Sequence, residues 1–306
     1  MTFIIIASVF CILLISILLF ERYVYKRVFY SPQKGQNSEY NAVRALNATD
    51  LKERATKLVN ELLEIPSEDL YTISFDKLKL HAYFYKSEGS NEYIIFFHGF
   101  RRTARRSFAG RAMDCLKAHK NVILVDQRAH GQSEGHELTF GKKEQYDVVS
   151  WVNFIQQKFG KDAKITLVGV SMGATAILGA SDKIDERIKI VADAPYISVK
   201  DVVIITMSKI KMNPRVIYPL VAFSSILYCH STLDCDVSKN VNKSKNKIFL
   251  IHGSEDEIVP YKEVEKMYLE NKDHVKYELF DGIGHGLAYL RATEKYRKVF
   301  FDFINN

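Results

Sequence analysis

One serine of this chain lies between two glycines, in the segment Gly169-Val-Ser171-Met-Gly173. An apolar run at 165–168 precedes this segment, and small residues that suit a helix follow it at 174–180. A strand that turns into a helix through Gly-x-Ser-x-Gly holds the serine on a strained backbone with its hydroxyl exposed, and side chains at the glycine positions would clash with that turn. The spacing therefore predicts a serine that can attack a carbonyl carbon from the end of a strand.

A serine hydroxyl is a weak nucleophile that needs a base, and a histidine and an acid follow later strands of this chain. The apolar run at 247–252 leads into Asp256, and the run at 275–280 leads into His285, which lies between two glycines. Loops at the carboxyl ends of parallel strands gather functional side chains at one edge of the sheet. We therefore expect His285 to take the proton of Ser171, and Asp256 to orient the imidazole and stabilise its charged form.

Two further acids compete with Asp256 for the orienting role. Glu255 lies in the same turn as Asp256 but would project differently from it, and Asp281 is too near His285 in the chain for the usual geometry. The sequence therefore favours Asp256.

The negatively charged oxygen that forms when a serine attacks a carbonyl needs two hydrogen-bond donors already in place. The backbone amide of Met172, directly after the serine, is expected to be one of them. The amide of Phe100 is expected to be the other, because Gly99 allows the chain to turn tightly after the strand at 93–97. Four polar side chains near this loop are expected to brace it through hydrogen bonds: His98, Asp126, Arg128 and His130.

Strand and helix patterns alternate from residue 93 to the end of the chain. Repeated β-α units require a mostly parallel sheet with helices on both faces, so the fold class is α/β. An antiparallel pair at 72–76 and 80–86 is expected to open the sheet. The predicted parallel strands are 93–97, 121–126, 164–168, 188–193, 247–252 and 275–280, and the predicted helices lie near 103–118, 144–158, 172–181, 261–270 and 293–304.

Five segments of the chain, taken in order, resemble the α/β-hydrolase family: residues 98–100, 126–135, 169–173, 253–260 and 284–286. The resemblance covers about residues 70–304 and is closest to bacterial membrane-anchored members and to serine-aminopeptidase-like and Bem46-like hydrolases. It implies the α/β-hydrolase fold and serine-hydrolase machinery built from Ser171, Asp256 and His285. It implies neither a metal nor an organic cofactor, and no Cys/His spacing in the chain is typical of a zinc site.

Residues 195–246 interrupt the alternation of strands and helices. A structureless loop of that length would be unusual inside a compact domain, so we predict a small helical cap over the site. Its apolar residues either line a substrate pocket or pack the cap onto the sheet. The pocket candidates are Ile204, Ile205, Met207, Ile210, Met212, Ile217, Leu220, Val221 and Phe223.

The first thirty residues predict a membrane anchor. Residues 3–20 carry no charge, and 18 helical residues span about 27 Å, close to the bilayer core of about 30 Å. A cleaved signal peptide fits less well, because no basic region precedes the apolar run and no small-x-small site follows it. The positive charges follow the run, at Arg22, Lys26 and Arg27, which favours a catalytic domain on the cytoplasmic side.

The predicted organisation therefore has an anchor at 1–30, a polar linker and amphipathic helix at 31–69, and a hydrolase domain at 70–306 with its cap at about 195–246. The net charge of +7 suits an anionic lipid or ligand and is too scattered to indicate nucleic-acid binding. Four arginines follow Phe100, and they either bind an anionic group of the substrate or membrane, or form a solvated helix start: Arg101, Arg102, Arg105 and Arg106.

These patterns predict a membrane-anchored hydrolase of carboxylic esters that acts on a small-molecule or lipid-like acyl substrate. Four side chains are candidates for substrate binding: Arg101, Arg102, Tyr196 and Met207. Two alternatives stay open at this point. One is a peptidase or amidase of the same fold, and the other is a binding protein that uses a hydrolase fold without catalysis.

Overall fold

A computed structural model describes residues 1–31, 49–209, 211 and 213–306 of the chain. Residues 32–48 of the predicted linker, which begins at 31, lie outside the described residues, as do two of the pocket candidates, Ile210 and Met212.

The described residues build one eight-stranded sheet with the order β1-β2-β4-β3-β5-β6-β7-β8. Strand β2 pairs antiparallel with β1 and β4, and every other neighbouring pair is parallel. This arrangement confirms the predicted fold class. The strands are β1 Glu68–Ile73, β2 Lys79–Tyr85, β3 Glu92–Phe97, β4 Asn121–Asp126, β5 Lys164–Val170, β6 Lys189–Asp193, β7 Ile248–Gly253 and β8 Val275–Phe280.

The prediction of the first strand at 72–76 was wrong, because that strand ends at Ile73. The residues after it form the turn into β2. The amide of Ser74 donates to the carbonyl of Leu78 at 2.9 Å, and Lys77 has a φ of 70°, which a strand does not allow. Leu70, which lies opposite Ala82 on β2, supplies the buried side of β1.

Helices cover both faces of the sheet. On one face, the core includes Trp151 and side chains from α4, α5 and α9. On the other face, the core includes Phe108 and side chains from α2, α3 and α11. Outside the cap, the helices are α1 Thr2–Val28, α2 Lys52–Leu63, α3 Ala104–Lys117, α4 Glu144–Phe159, α5 Met172–Ala180, α9 Tyr261–Glu270, α10 Ala288–Arg291 and α11 Thr293–Asn305.

The segment between β6 and β7 is mainly helical. It contains α6 Val199–Lys209, α7 Pro214–Cys229 and α8 Ser238–Val241. Helix α7 begins where the side chain of Asn213 accepts a hydrogen bond from the amide of Arg215 at 3.0 Å, and Pro214 suits the first helical position.

Helix α1 is long and apolar enough to cross a membrane, and its side chains up to Phe20 are exposed. From Glu21 onward the chain packs on the rest of the fold. Phe29 is fully buried, and its carbonyl accepts a hydrogen bond from the amide of Leu138 at 2.9 Å. The amide of Ser31 donates to the carbonyl of His136 at 2.8 Å. The end of the apolar helix is therefore fixed to the domain by backbone hydrogen bonds before the linker begins.

Candidate active site

Ser171 lies at the sharp turn between β5 and α5, with φ 55° and ψ −120°. A side chain at Gly169 would bring its Cβ within 2.5 Å of the amide nitrogen of Ala174, and one at Gly173 would overlap the carbonyl of Phe97. The glycines thus allow α5 to start directly against the sheet. The amide of Ser171 donates to the carbonyl of Asp193 at 2.9 Å, which fixes the strained residue to the end of β6.

The structure brings Ser171, His285 and Asp256 together. The Nε2 atom of His285 lies 2.9 Å from the Oγ atom of Ser171, and its Nδ1 atom lies 2.6 Å from the Oδ2 atom of Asp256. Because a carboxylate oxygen only accepts, Nδ1 carries the proton and Nε2 is free to accept the hydroxyl proton of the serine. This geometry suits a histidine that acts as a general base.

Asp256 is buried and is held by groups on its own loop. Its Oδ1 atom accepts hydrogen bonds from the amides of Ile258 at 2.9 Å and Val259 at 2.8 Å. His252, at the end of β7, places Nε2 within 3.1 Å of the Oδ2 atom of Asp256. Burial disfavours the charged carboxylate, but hydrogen bonds from His252 and His285 outweigh it and hold the pKa of Asp256 well below its usual value.

The rival acids have other positions. Asp281 accepts a hydrogen bond from the hydroxyl of Ser254 at 3.0 Å, and Glu255 is exposed. Sequence reasoning gave His252 no part in the site. Its spacing of four residues from Asp256 was the only sign of the contact, and such spacing is common in loops that follow strands.

The loop that carries Phe100 lies beside the serine. A Cβ on Gly99 would be 3.4 Å from the Cβ of Ser171, so the backbone approaches the serine closely there. The Nδ1 atom of His98 lies 2.8 Å from the carbonyl oxygen of Gly99, and its Nε2 atom lies 3.2 Å from the amide of Gln127. Nδ1 therefore donates and Nε2 accepts, which requires a neutral ring.

A second histidine holds the same loop. The Nε2 atom of His130 accepts a hydrogen bond from the amide of Arg101 at 3.1 Å, and its Nδ1 atom donates to the carbonyl of Arg128 at 2.9 Å. Burial lowers the pKa of His98 well below its usual value, with a further contribution from the neighbouring His130. Burial also lowers the pKa of His130. Both rings thus brace the loop in their neutral form.

The side chains predicted to bind substrate have varied surroundings. The guanidinium of Arg101 donates to the carbonyls of Arg27 and Tyr30 at 2.9 and 3.1 Å, so it holds the end of α1. The hydroxyl of Tyr196 donates to the carbonyl of Phe140 at 3.0 Å. Met207 is half-buried on α6 and packs against the core. Arg102 also interacts with its surroundings, and substrate binding by any of these side chains stays a prediction.

A row of three aromatic rings links the end of α1 to the loop beside the serine. Phe140 stacks on Phe100, with centroids 5.2 Å apart and an interplanar angle of 14°. Phe29 packs edge-on against Phe140, with centroids 5.8 Å apart. Sequence reasoning missed Phe29 and Phe140, because neither lies in a motif and their contact joins distant parts of the chain.

Nothing in the described part of the chain gathers three or more His, Cys, Asp or Glu side chains as a metal site. The side chains and backbone amides of the candidate site lie at the carboxyl edge of the sheet. This sheet order, with a serine at a strand-to-helix turn next to a histidine and an acid, defines the class of α/β hydrolases.

Comparison with known proteins agrees with this class. Residues 92–214 match the family model described as alpha/beta hydrolase fold. The solved structure of the esterase Pf2001 from Pyrococcus furiosus is 26% identical, with a TM-score of 0.67, over 80% of this chain and 92% of that one. With the observed fold, these matches show that the chain belongs to the α/β-hydrolase superfamily. The resemblance to serine-aminopeptidase-like and Bem46-like members stays a prediction.

Two curated relatives match over shorter stretches. Uncharacterized protein YqkD of Bacillus subtilis is 25% identical over 195 residues, which is 61% of this chain and 62% of that protein. Thiohydrolase aneE of Aspergillus aculeatus is 29% identical over 122 residues, which is 39% of this chain and 38% of that protein. The chain thus spans less than two thirds of the length of either relative.

Proposed function

We propose that this chain is a membrane-anchored serine hydrolase that cleaves carboxylic esters through an acyl-enzyme on Ser171. The observation that carries the proposal is the unbroken series of hydrogen bonds from Ser171 through His285 to Asp256. The similarity to an esterase of known structure and to a thiohydrolase supports the same chemistry, because both names describe transfer of an acyl group to water.

In the first half of the reaction, the Oγ atom of Ser171 attacks the acyl carbonyl carbon while its proton passes to Nε2 of His285. Asp256 keeps the ring in the productive tautomer and stabilises the positive charge that forms on it. The oxygen that becomes negative accepts hydrogen bonds from the amides of Met172 and Phe100. As the first residue of α5, Met172 has an amide without a partner inside the helix.

In the second half, the tetrahedral intermediate collapses and the alcohol leaves with the proton from His285. A water molecule then attacks the ester on Ser171, and His285 takes one of its protons. The second tetrahedral intermediate releases the carboxylic acid and restores the serine hydroxyl. The same two amides stabilise the negative oxygen in both halves.

His98 acts on this chemistry through the Gly99–Phe100 peptide. A peptide group is planar, so the carbonyl of Gly99 and the amide of Phe100 point in opposite directions along one rigid unit. The hydrogen bond from His98 to that carbonyl therefore fixes the direction of the amide. We infer that His98 is a positioning residue for the oxygen-binding amide.

The anchor in this proposal is α1, and its packing supports an uncleaved helix. Residues that follow the apolar run, including the buried Val24 and Phe29, belong to the core of the hydrolase domain. The positive charges of Arg22, Lys26 and Arg27 lie after the apolar run, which favours a cytoplasmic domain.

A fluorophosphonate probe tests the nucleophile, since it reacts with activated serines. We expect the full-length protein in detergent to be labelled, the Ser171→Ala variant to lose the label, and the Ser254→Ala control to keep it. Ester hydrolysis by Ser171→Ala should fall by roughly 10⁴-fold or more. Undiminished labelling of Ser171→Ala would refute the proposed nucleophile, and no labelling of the folded wild type would favour a binding protein. Preference for aminoacyl amides over esters would favour a peptidase.

A further inference from the structure

Helix α7 of the cap carries an exposed apolar stripe. It consists of Val216, Phe223, Ile226 and Leu227, which are 58%, 49%, 53% and 39% exposed. Their spacing of seven, three and one residues places them on one side of a helix. The only charged residue of α7 is Arg215. Single exposed apolar residues are ordinary on soluble proteins, but a continuous stripe marks a surface that contacts a partner or a membrane.

The stripe lies next to the apolar helix α1. The hydroxyl of Ser224 donates to the carbonyl of Glu21 at 3.3 Å, and Tyr228 stacks on Tyr25 with centroids 4.7 Å apart. From the first contact to the second, both helices advance by four residues, which is about one helical turn. The two helices therefore run side by side in the same direction.

This contact sets the level of α7 relative to a membrane. Glu21 is the first charged residue after the uncharged run at 3–20, so it marks where α1 leaves the hydrocarbon core. Because Ser224 touches Glu21, the middle of α7 lies at the level of the membrane interface. Because α7 runs in the same direction as α1, Val216 and Phe223, which precede Ser224, lie on the membrane side of this level.

We propose that the exposed stripe of α7 contacts the lipid bilayer beside α1, so that the cap itself meets the membrane. The proposal rests on the membrane anchoring of the proposed function and specifies its substrate class. The cap also reaches the site, because Lys209 at the end of α6 donates to the carbonyl of Glu257, one residue from Asp256. A cap seated in the interface favours esters of long acyl chains that enter the site from the bilayer.

Fluorescence quenching tests the contact in the full-length protein reconstituted into vesicles of phosphatidylcholine and phosphatidylglycerol with brominated acyl chains. The chain has one tryptophan, Trp151, which is fully buried and gives a constant background. We expect the added emission of Phe223→Trp to be quenched by brominated lipid. Leu269→Trp is the matched control. Leu269 is 54% exposed, and it lies near the end of α9 as that helix returns to the amino edge of the sheet, opposite the site.

Equal quenching of Phe223→Trp and Leu269→Trp would overturn the proposal, provided that the protein floats with the vesicles. Blue-shifted Phe223→Trp emission without quenching would also overturn it and would point to a second copy of the chain as the occupant. A protein that does not float with vesicles would refute both the anchor and this inference.

Hydrolysis gives an independent test of the substrate class. In the double variant Val216→Asn/Ile226→Asn, we expect kcat/KM to fall about tenfold for a long-chain nitrophenyl ester held in vesicles, because two apolar contacts with lipid are lost. Its kcat/KM for nitrophenyl acetate in solution, and both activities of Leu269→Asn, should match the wild type. An equal loss on both esters would refute the entry of substrate from the bilayer. If the wild type cleaves neither ester, ester hydrolysis fails as a function, while quenching still decides the membrane contact.

Discussion

The role of His98 can be tested with two substitutions, each of which retains the hydrogen bond of a different ring nitrogen. The amide of an asparagine occupies nearly the position of Nδ1, and the amide of a glutamine occupies nearly that of Nε2. His98→Asn can therefore still donate to the carbonyl of Gly99, whereas His98→Gln keeps only the contact with the amide of Gln127. We expect the glutamine variant to lose activity and the asparagine variant to retain most of it.

The structure sets the size of the expected loss. Removing one donor from the oxygen-binding site of a serine hydrolase costs about 10²–10³ in kcat. In His98→Gln the amide of Phe100 is still present, and the carbonyl of Gly99 keeps a longer hydrogen bond from the amide of Arg102 at 3.3 Å. The peptide is then loosened rather than removed. The loss in kcat should therefore be about 10- to 100-fold, with KM nearly unchanged because the amide contributes mainly in the transition state.

The assay is steady-state hydrolysis of a soluble ester by both variants, with thermal unfolding measured in parallel. Both substitutions remove one buried hydrogen bond, so both should cost about 1–3 kcal/mol of stability. The activities, however, should differ by about tenfold or more. Equal kcat values for the two variants, or a loss that appears only in KM, would show that the His98–Gly99 hydrogen bond does not position the amide.

Three further predictions concern buried ionisable side chains. Asp256→Asn should lower kcat by about 10⁴-fold, as measured by single-turnover hydrolysis, because the imidazolium loses its stabilising charge. The guanidinium of Arg111 lies 2.6 Å from the carboxylate of Asp193. Arg111→Met should lower the free energy of unfolding by about 3–5 kcal/mol, because it leaves that carboxylate buried without a charge partner. Adding Asp193→Asn to Arg111→Met should restore part of the lost stability, as measured by thermal unfolding. Because burial lowers the pKa values of His98 and His130, the unfolded chain binds these protons more readily below their usual value of 6.5. These rings therefore destabilise the fold as pH falls from 7 to 5, and the change in Tm over that range should be less unfavourable in His98→Asn than in the wild type.

The alternation of strands and helices predicted most of the sheet, and the reason is local. A buried parallel strand is a short apolar run, and the residue at its carboxyl end must lie at the edge where the other strands also end. The meeting of Ser171, Asp256 and His285 could thus be predicted from their places after β5, β7 and β8. The first strand was misplaced because it lies at the edge of the sheet, where Leu70 is its only buried side chain. A single buried residue gives no alternation of apolar and polar residues from which the bounds of a strand could be predicted.

The contacts of the loop that carries Phe100 could not be predicted in the same way. Which nitrogen of His98 faces Gly99 depends on a neighbouring loop that supplies the amide of Gln127. Arg101 looked like a binding group for an anion because its sequence neighbours are arginines. Its guanidinium donates to two carbonyls at the end of α1, which come near it in space only through the packing of α1 on the fold, and anion binding by Arg101 stays a prediction.

This packing gives α1, the proposed anchor, a structural part in the candidate site. The three rings of Phe29, Phe140 and Phe100 form one packed row, and Arg101 ties the loop to the last turn of α1. Close-packed side chains transmit displacement because the interior has little free volume. The end of α1 and the loop that carries the amide of Phe100 are therefore packed together. A tether that served only to hold the enzyme at the membrane would need none of these contacts.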